Sequence, residues 1–275
     1  MLTPLLSVIE IGLDPTIELG PVTVAWHGLT IAIGIVVGAL AAAWHGREER
    51  GIATDPLYEI CGIVAVAGLV GGKLFYLLEQ GTLLDPGEWV DGRGFTFNGG
   101  LVLAAVAIAA YLRIQRLPIT YLDVVAVGFP LGVAIGRVGD VINGEHYGDP
   151  STWLLAVRNT HPDADVPSAT MAYHSGGLYE VLLGLAIFAV SSGLRNRIRQ
   201  PLMMVWLVVG LFATGRFVEF FFRSDSDVVA LGLSSAQWTS LVTLAFAVAG
   251  AGVTWRILGR QGGFRRGPHG GQAAP

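Results

Sequence analysis

The chain has 275 residues, 52% of them hydrophobic and 14% charged, with a mean hydropathy of +0.58, a balance that excludes an ordinary soluble protein and points to a polytopic membrane protein. The 17 Lys+Arg against 21 Asp+Glu give a net charge of −4, without the basic excess that a nucleic-acid binder uses on phosphates. A single cysteine excludes an internal disulfide framework and a Cys-rich metal site.

The first twenty residues contain Glu10, Asp14 and Glu18 and no basic n-region, so a cleavable signal peptide is not expected and the first span inserts uncleaved. Apolar runs of about 17 to 25 residues then follow in order. Residues 22–44 open with Trp26-His27-Gly28, where His27 is either a proton acceptor or a hydrogen-bonded ring in an aromatic belt. Residues 57–78 hold Cys61, read as a small buried hydrophobe, and Gly71-Gly72-Lys73, where small residues bring helices close and Lys73 is expected to snorkel outward. Residues 98–112 begin at Phe95-Thr96-Phe97-Asn98-Gly99-Gly100, and Asn98 there either orients a substrate or caps the helix.

The fourth run, residues 121–142, leads into the densest polar stretch, Gly136-Arg137-Val138-Gly139-Asp140-Val141-Ile142-Asn143-Gly144-Glu145-His146-Tyr147-Gly148. Arg137 and Asp140 share a helical face, and Gly139, Gly144 and Gly148 permit a bend or a close ligand approach, beside Asn143 and Glu145. The pair either serves a substrate or seals a helix end as an ion pair. The fifth run, 177–192, is entered through Tyr173-His174-Ser175-Gly176-Gly177-Leu178-Tyr179-Glu180. The sixth, 202–222, ends in Gly215-Arg216-Phe217-Val218-Glu219 and Arg223. Arg216 and Arg223 lie two turns apart and offer planar forks suited to phosphate; the plainer reading is an Arg216–Glu219 helical bridge with Arg223 snorkelling at the interface. The seventh run is 236–258. Residues 1–260 thus read as one seven-span membrane unit, and residues 261–275, rich in Gly, Pro and Arg, as a disordered cytoplasmic tail.

Orientation follows from the loops, because Lys and Arg near span ends favour the cytoplasmic side. Arg47, Arg50, Arg113, Arg116, Arg195, Arg197, Arg199, Arg256, Arg260, Arg265 and Arg266 fall on one side, against Arg93, Arg158 and Arg223 on the other. This places the N-terminus outside and the C-terminus in the cytoplasm. Lys73, Arg137, Asp140, Arg216 and Glu219 then lie near the outer ends of outward-running spans, and His27, Asn98, His174, Tyr179 and Glu180 near the starts of inward-running ones. Polar groups from six spans at one depth imply a water-accessible cavity open to the outer leaflet. Asp123, near an inner end, is the exception.

These segments, in this order, resemble the prolipoprotein diacylglyceryl transferase family over nearly the whole chain. The likeness runs from Leu19-Gly20-Pro21 and Trp26-His27-Gly28-Leu29 through Phe97-Asn98-Gly99-Gly100-Leu101 to the Arg137–Gly148 signature, the His174–Glu180 segment and the Arg216–Arg223 segment. The resemblance implies an all-α, seven-span enzyme of the bacterial cytoplasmic membrane with its site facing the outer leaflet, needing no metal or organic cofactor and no nucleic-acid partner. The implied reaction moves diacylglyceryl from phosphatidylglycerol to the lipobox cysteine thiol of a prolipoprotein signal peptide, releasing glycerol phosphate. Arg137 and Arg216 would hold the phosphate, with Glu145 as the third catalytic group beside the base. Asn98, Gly99, Gly100, Asp140, Asn143, Gly148, Tyr179 and Glu219 would line the substrate site. The nucleophile belongs to the substrate, so Cys61 need not react.

The chain differs from the family pattern inside its motifs. Asn98 stands where the family commonly has histidine, His27 where it has tyrosine, Asp140 where it has asparagine, and Lys73 where it has arginine. Glu219 follows Arg216 by three residues instead of four, and Ser175 and Gly177 replace a proline and a glutamine. An imidazole moved from one cavity wall to another makes His27 the substitute base, with His146 and His174 as competitors. Asp140 opposes an anionic lipid unless it is paired. Three readings stay open: a working transferase, a paralogue that keeps a phosphatidylglycerol-binding cavity with a lost or different reaction, and a channel or transporter. Against the last, the inner halves of the spans carry almost no polar residues.

Overall fold

Small residues set how closely the helices approach. The computed structural model describes residues 8–20, 22–47, 52–90, 96–224 and 226–258. Helices form at all seven apolar runs: α1 (Trp26–His45), α2 (Asp55–Gln80), then after the short α3 (Pro86–Val90) come α4 (Phe97–Ile114), α5 (Thr120–Asn143), α6 (Gly176–Leu194), α7 (Met203–Glu219) and α8 (Ser235–Leu258). Five of them, α1, α2, α5, α6 and α8, are long and apolar enough to cross a membrane. The apolar part of α4 is the shorter Val102–Ile114, and α7 spans 17 residues with Arg216 and Glu219 in its last turn. Expected Arg50, Arg93 and the tail 261–275 lie outside the described residues.

Helix α5 is the axis, packed along α1 and α6 and touching α7, while α2 pairs with α4 and α7 with α8. Gly34 and Gly38 of α1 face Gly128 and Gly132 of α5 backbone to backbone. A methyl on Gly132 would stand 2.8 Å from the Gly34 carbonyl oxygen, and one on Gly38 would stand 3.2 Å from that of Gly128. Two four-residue glycine spacings thus form a close crossing of the small-xxx-small kind. The same device joins α2 to α4, where a methyl on Gly100 would lie 2.7 Å from the Gly68 oxygen. Gly128→Leu is therefore expected to force α1 and α5 apart and to lower the thermal unfolding temperature in detergent, at a cost of about 1–3 kcal/mol or more; an unchanged unfolding temperature would show that the crossing tolerates side chains.

Outside the bundle, Ile33, Val36 and Leu40 of α1, Val66 and Leu69 of α2, and Val242, Phe246 and Val253 of α8 are exposed, the surface expected of helices bathed in lipid. Inside, one apolar cluster joins Ala42, Leu57, Ile60, Leu112, Tyr121 and Val124. A second joins Ala126, Val127, Ile187, Met204 and Val208. Asp123, the misplaced acid of the sequence, is explained by α7: its carboxylate accepts from the backbone N–H groups of Leu202 (2.7 Å), Met204 (3.0 Å) and Val205 (3.3 Å). It satisfies donors that a helix start leaves open.

The all-α expectation needs correcting, because the segments between helices carry short strands. The pair β2 (Thr16–Leu19) and β3 (Val22–Ala25) is an antiparallel hairpin that runs straight into α1, so the first apolar run begins as strand. A four-stranded sheet has the order β1 (Ile9–Ile11), β5 (Val157–Asn159), β6 (Tyr173–Ser175), β4 (Tyr147–Pro150). A further hairpin, β7 (Val228–Ala230) with β8 (Leu233–Ser234), precedes α8. Strands of two to four residues are too short to show alternation in sequence. The four-stranded sheet matters for function because β4 leaves the polar end of α5 and β6 continues directly into α6.

Candidate active site

The polar end of the bundle is built from an alternation of cations and carboxylates. Asp140, in the last turn of α5, is fully buried and accepts Arg137 Nη1 at 2.5 Å on Oδ2 and faces His27 Nδ1 at 2.5 Å on Oδ1. His27 Nδ1 also lies 3.3 Å from Glu145 Oε2, and Asn143 Nδ2 donates to Glu145 Oε1 at 2.8 Å. A nitrogen that faces two carboxylates must carry the ring proton. Nδ1–H therefore points at Asp140, in a side chain that is 38% exposed. A carboxylate held on one ring nitrogen in this way fixes the orientation of the imidazole.

Burial works against charge on Glu145, but the His27 and Asn143 hydrogen bonds outweigh it and hold its carboxyl below the usual carboxylate range. Gly144, at φ +79°, makes the turn that brings Glu145 back towards α1. His27, Asp140 and Glu145 each offer one ligand atom within 4.8 Å of the others, which is metal-binding spacing. In this structure the shared space is crossed by the His27 N–H, and the second oxygens serve Arg137 and Asn143.

Glu180, from the first turns of α6, joins the two halves of the site. Its Oε2 meets Arg137 Nε of α5 and its Oε1 meets Arg216 Nη1 of α7, with Arg223 Nη1 at 3.5 Å. Arg216 and Glu219, three residues apart, each bond elsewhere: Glu219 Oε1 accepts Arg223 Nη1 at 3.0 Å. Arg223 is no interfacial snorkeller, since its side chain is 5% exposed and its Nη2 also donates to His146 Nδ1 at 2.9 Å. That bond puts the His146 proton on Nε2, which faces Asp140 Oδ2 at 3.8 Å. Arg137 and Arg216 keep side chains that are 25% and 34% exposed.

A cavity of about 570 Å³ between α6 and α7 adjoins this cluster, walled by Trp153, Leu183, Val218 and Phe222 and bounded by His174, Tyr179 and Glu219. His174 Nδ1 and the Tyr179 hydroxyl are 2.5 Å apart. Glu219 Oε2 is buried without a hydrogen-bond partner among the described residues, a buried acceptor that favours a donor supplied from the cavity.

Other expected site residues serve packing. A methyl on Gly99 would stand 2.5 Å from the Gly71 carbonyl oxygen, so Gly99 and Gly100 seat α4 on α2. Gly148 gives its side-chain space to the Phe222 carbonyl and to His174 Cβ, the latter 3.1 Å away. Lys73 is buried with Nζ 5.5 Å from the Tyr76 ring centre, not snorkelling. The side chain of Asn98 lies outside the described residues. Sequence reasoning put Glu180 in the implied cavity, His146 among the competing bases and Arg223 among the phosphate candidates, without giving any of them its partner; a carboxylate inside an apolar helix start was the signal for Glu180.

Set against known proteins, the chain from residue 15 to residue 253 matches the family described as prolipoprotein diacylglyceryl transferase. The chain belongs to the prolipoprotein diacylglyceryl transferase family. Among its relatives in this family, a Dehalococcoides mccartyi protein named phosphatidylglycerol–prolipoprotein diacylglyceryl transferase is 30% identical over 87% of this chain and 93% of its own length. Proteins of the same name from Paenarthrobacter aurescens and Sinorhizobium medicae are 33% and 32% identical, covering 85% and 89% of this chain and 79% and 91% of their own. Membership spans the transferase signature, so the changed residues His27, Asn98 and Asp140 stand within a retained framework.

Proposed function

We propose that this protein transfers a diacylglyceryl group from phosphatidylglycerol to the lipobox cysteine thiol of a bacterial prolipoprotein. The observation that carries the reading is the Glu180 bridge, which holds Arg137 and Arg216 on opposite oxygens of one carboxylate, while Arg223 links Glu180 to Glu219 in the wall of an apolar cavity. Two partly exposed guanidiniums suit a phosphodiester, and the apolar walls suit what is attached to it. Glu219 Oε2 accepts from a hydroxyl of the glycerol headgroup, and Tyr179 marks the cavity wall. Seven spans with the N-terminus outside, the C-terminus cytoplasmic and the site at the outer leaflet fit the distribution of arginines and let a secreted precursor reach the site. Residues 1–260 act as one membrane unit in this scheme.

In the reaction, His27 Nε2 takes the proton from the precursor thiol while Asp140 holds the opposite N–H. The thiolate attacks the glyceryl carbon that carries the phosphate. The C–S bond forms as the C–O bond breaks, and the electron pair leaves on the phosphate oxygen, where Arg137 and Arg216 stabilise the gathering charge. Glycerol phosphate departs with the proton returned from His27. Asp140 does not repel the lipid in this arrangement, because the Arg137 guanidinium neutralises it. Glu145 and Asn143 shape the wall beside His27.

Purified protein in detergent with phosphatidylglycerol and a lipobox peptide tests the proposal by mass spectrometry. A diacylglyceryl mass gain on the cysteine peptide and none on its serine counterpart is expected. No gain, beside a family member working in parallel, would instead assign a retained lipid cavity with another acceptor.

A further inference from the structure

The last turn of α5 carries Asp140 and Asn143, and its four terminal carbonyls have no partners within the helix. All four are satisfied, and two of them by one side chain from another element. The Asp140 carbonyl accepts the N–H groups of Gly144 and of Glu145, the latter at 3.0 Å. Asn159 Nδ2 donates to the carbonyls of Val141 at 2.9 Å and Ile142 at 3.0 Å. The Asn143 carbonyl accepts the Asp165 N–H at 2.8 Å. Asn159 is 3% exposed, and a methyl on Gly144 would stand 2.8 Å from Val166 Cγ1 and 3.3 Å from the Asn159 Cγ, so glycine suits the close approach of the amide.

Asn159 is itself held from both sides. It ends β5, which runs parallel to β1 with Ile11 opposite Asn159 and antiparallel to β6 with Val157 opposite Tyr173. The Thr160 N–H closes on the Ile11 carbonyl at 2.8 Å. β6 passes into α6, where Ser175 Oγ accepts the Leu178 N–H at 3.2 Å two residues before Glu180. One strand therefore stands between the end of α5, with Arg137 and Asp140, and the start of α6, with the carboxylate that bridges the arginines.

We infer that Asn159 is a positioning residue for the transfer reaction: by tying the Val141 and Ile142 carbonyls to β5 it fixes Asp140 against His27. The inference rests on the transferase reading for its effect on rate but not for its effect on geometry. Asn159→Asp is nearly isosteric and replaces the donor by an acceptor facing two carbonyls, which loosens the last turn of α5. With phosphatidylglycerol and a lipobox peptide, the expected result is a kcat lower by about 100-fold with the KM for phosphatidylglycerol unchanged. Asn159→Gln, which keeps the donor on a longer stem, regains part of that loss. Thr160→Val, at the residue that follows β5 and whose hydroxyl bonds the Ile11 carbonyl, retains the parent kcat.

A second readout needs no turnover. Diethyl pyrocarbonate modification followed residue by residue should label His27 faster in Asn159→Asp than in the parent, with the His27 rate in Thr160→Val unchanged. A parent without transfer activity would overturn the transferase reading while leaving this comparison intact. An unchanged His27 rate, a parent-like kcat in Asn159→Asp, or an equal loss in Thr160→Val would overturn the positioning role.

Discussion

Arg137→Ala is expected to abolish thioether formation, lowering kcat by about 10³-fold or more, the scale for loss of a preorganised donor to developing charge. The side chain serves three partners: Asp140, Glu180 and, in the proposed reaction, the departing phosphate. Truncation leaves two buried carboxylates short of a cation, which costs about 3–5 kcal/mol where such a pair is broken, and the variant can lose its fold for that reason alone. Arg137→Lys separates the two effects. It keeps a positive charge between Asp140 and Glu180 but not the planar fork that engages a carboxylate and a phosphate together. It should unfold near the parent temperature and still lose most of its turnover, measured as the rate of diacylglyceryl addition to the peptide. Near-parent turnover in Arg137→Lys would remove the bidentate clamp, and near-parent turnover in Arg137→Ala would remove the phosphate contact altogether.

His27→Ala should lower kcat by about 10²–10⁴-fold, the range for a lost general base. Asp140→Asn restores the residue usual in the family but takes the acceptor from His27 Nδ1, and a loss of up to about 10⁴-fold is known for that change in the serine-protease triad. Both variants should still bind phosphatidylglycerol, because Arg137 and Arg216 remain on Glu180. Asn98→His is expected to preserve or raise activity in the parent and to restore part of it in His27→Ala. Full activity in His27→Ala would pass the role of base to His146 or His174, and abolition by Asn98→His would mean that the cavity wall at α4 is arranged differently from the family's.

The membrane class was legible because five of the runs are long and almost free of charge, and a helix stands at the position of each of the seven runs. The Arg137–Asp140 pair was also legible, since residues three apart on a helix face the same way and here bond at 2.5 Å. The same spacing misled at Arg216 and Glu219, whose partners lie on α6 and one turn further along the chain. Spacing reports which groups share a face; it does not report which carboxylate a neighbouring helix brings up. Glu180 could be seen as a buried acid, but only the packing of α5, α6 and α7 shows that one acid serves two arginines. The exchange of tyrosine and asparagine for His27 and Asp140 looked like two unrelated departures in sequence. In the structure the two side chains meet across α1 and α5. The short strands were hidden for want of length, and Asn159 with them.

The glycine crossing of α1 and α5 reaches the site itself: Thr30 Oγ1 donates to the Gly136 carbonyl at 2.8 Å and accepts the Gly139 N–H at 3.1 Å, one turn from His27 and Asp140. Backbones in such contact cannot slide past one another without breaking those bonds. When bilayer thickness changes and spans answer by tilting, these two helices tilt as one rod, and the distance from imidazole to carboxylate stays fixed. Membrane thickness then governs how deep the polar end of the bundle sits, while the contact between His27 and Asp140 is the same from one lipid environment to the next.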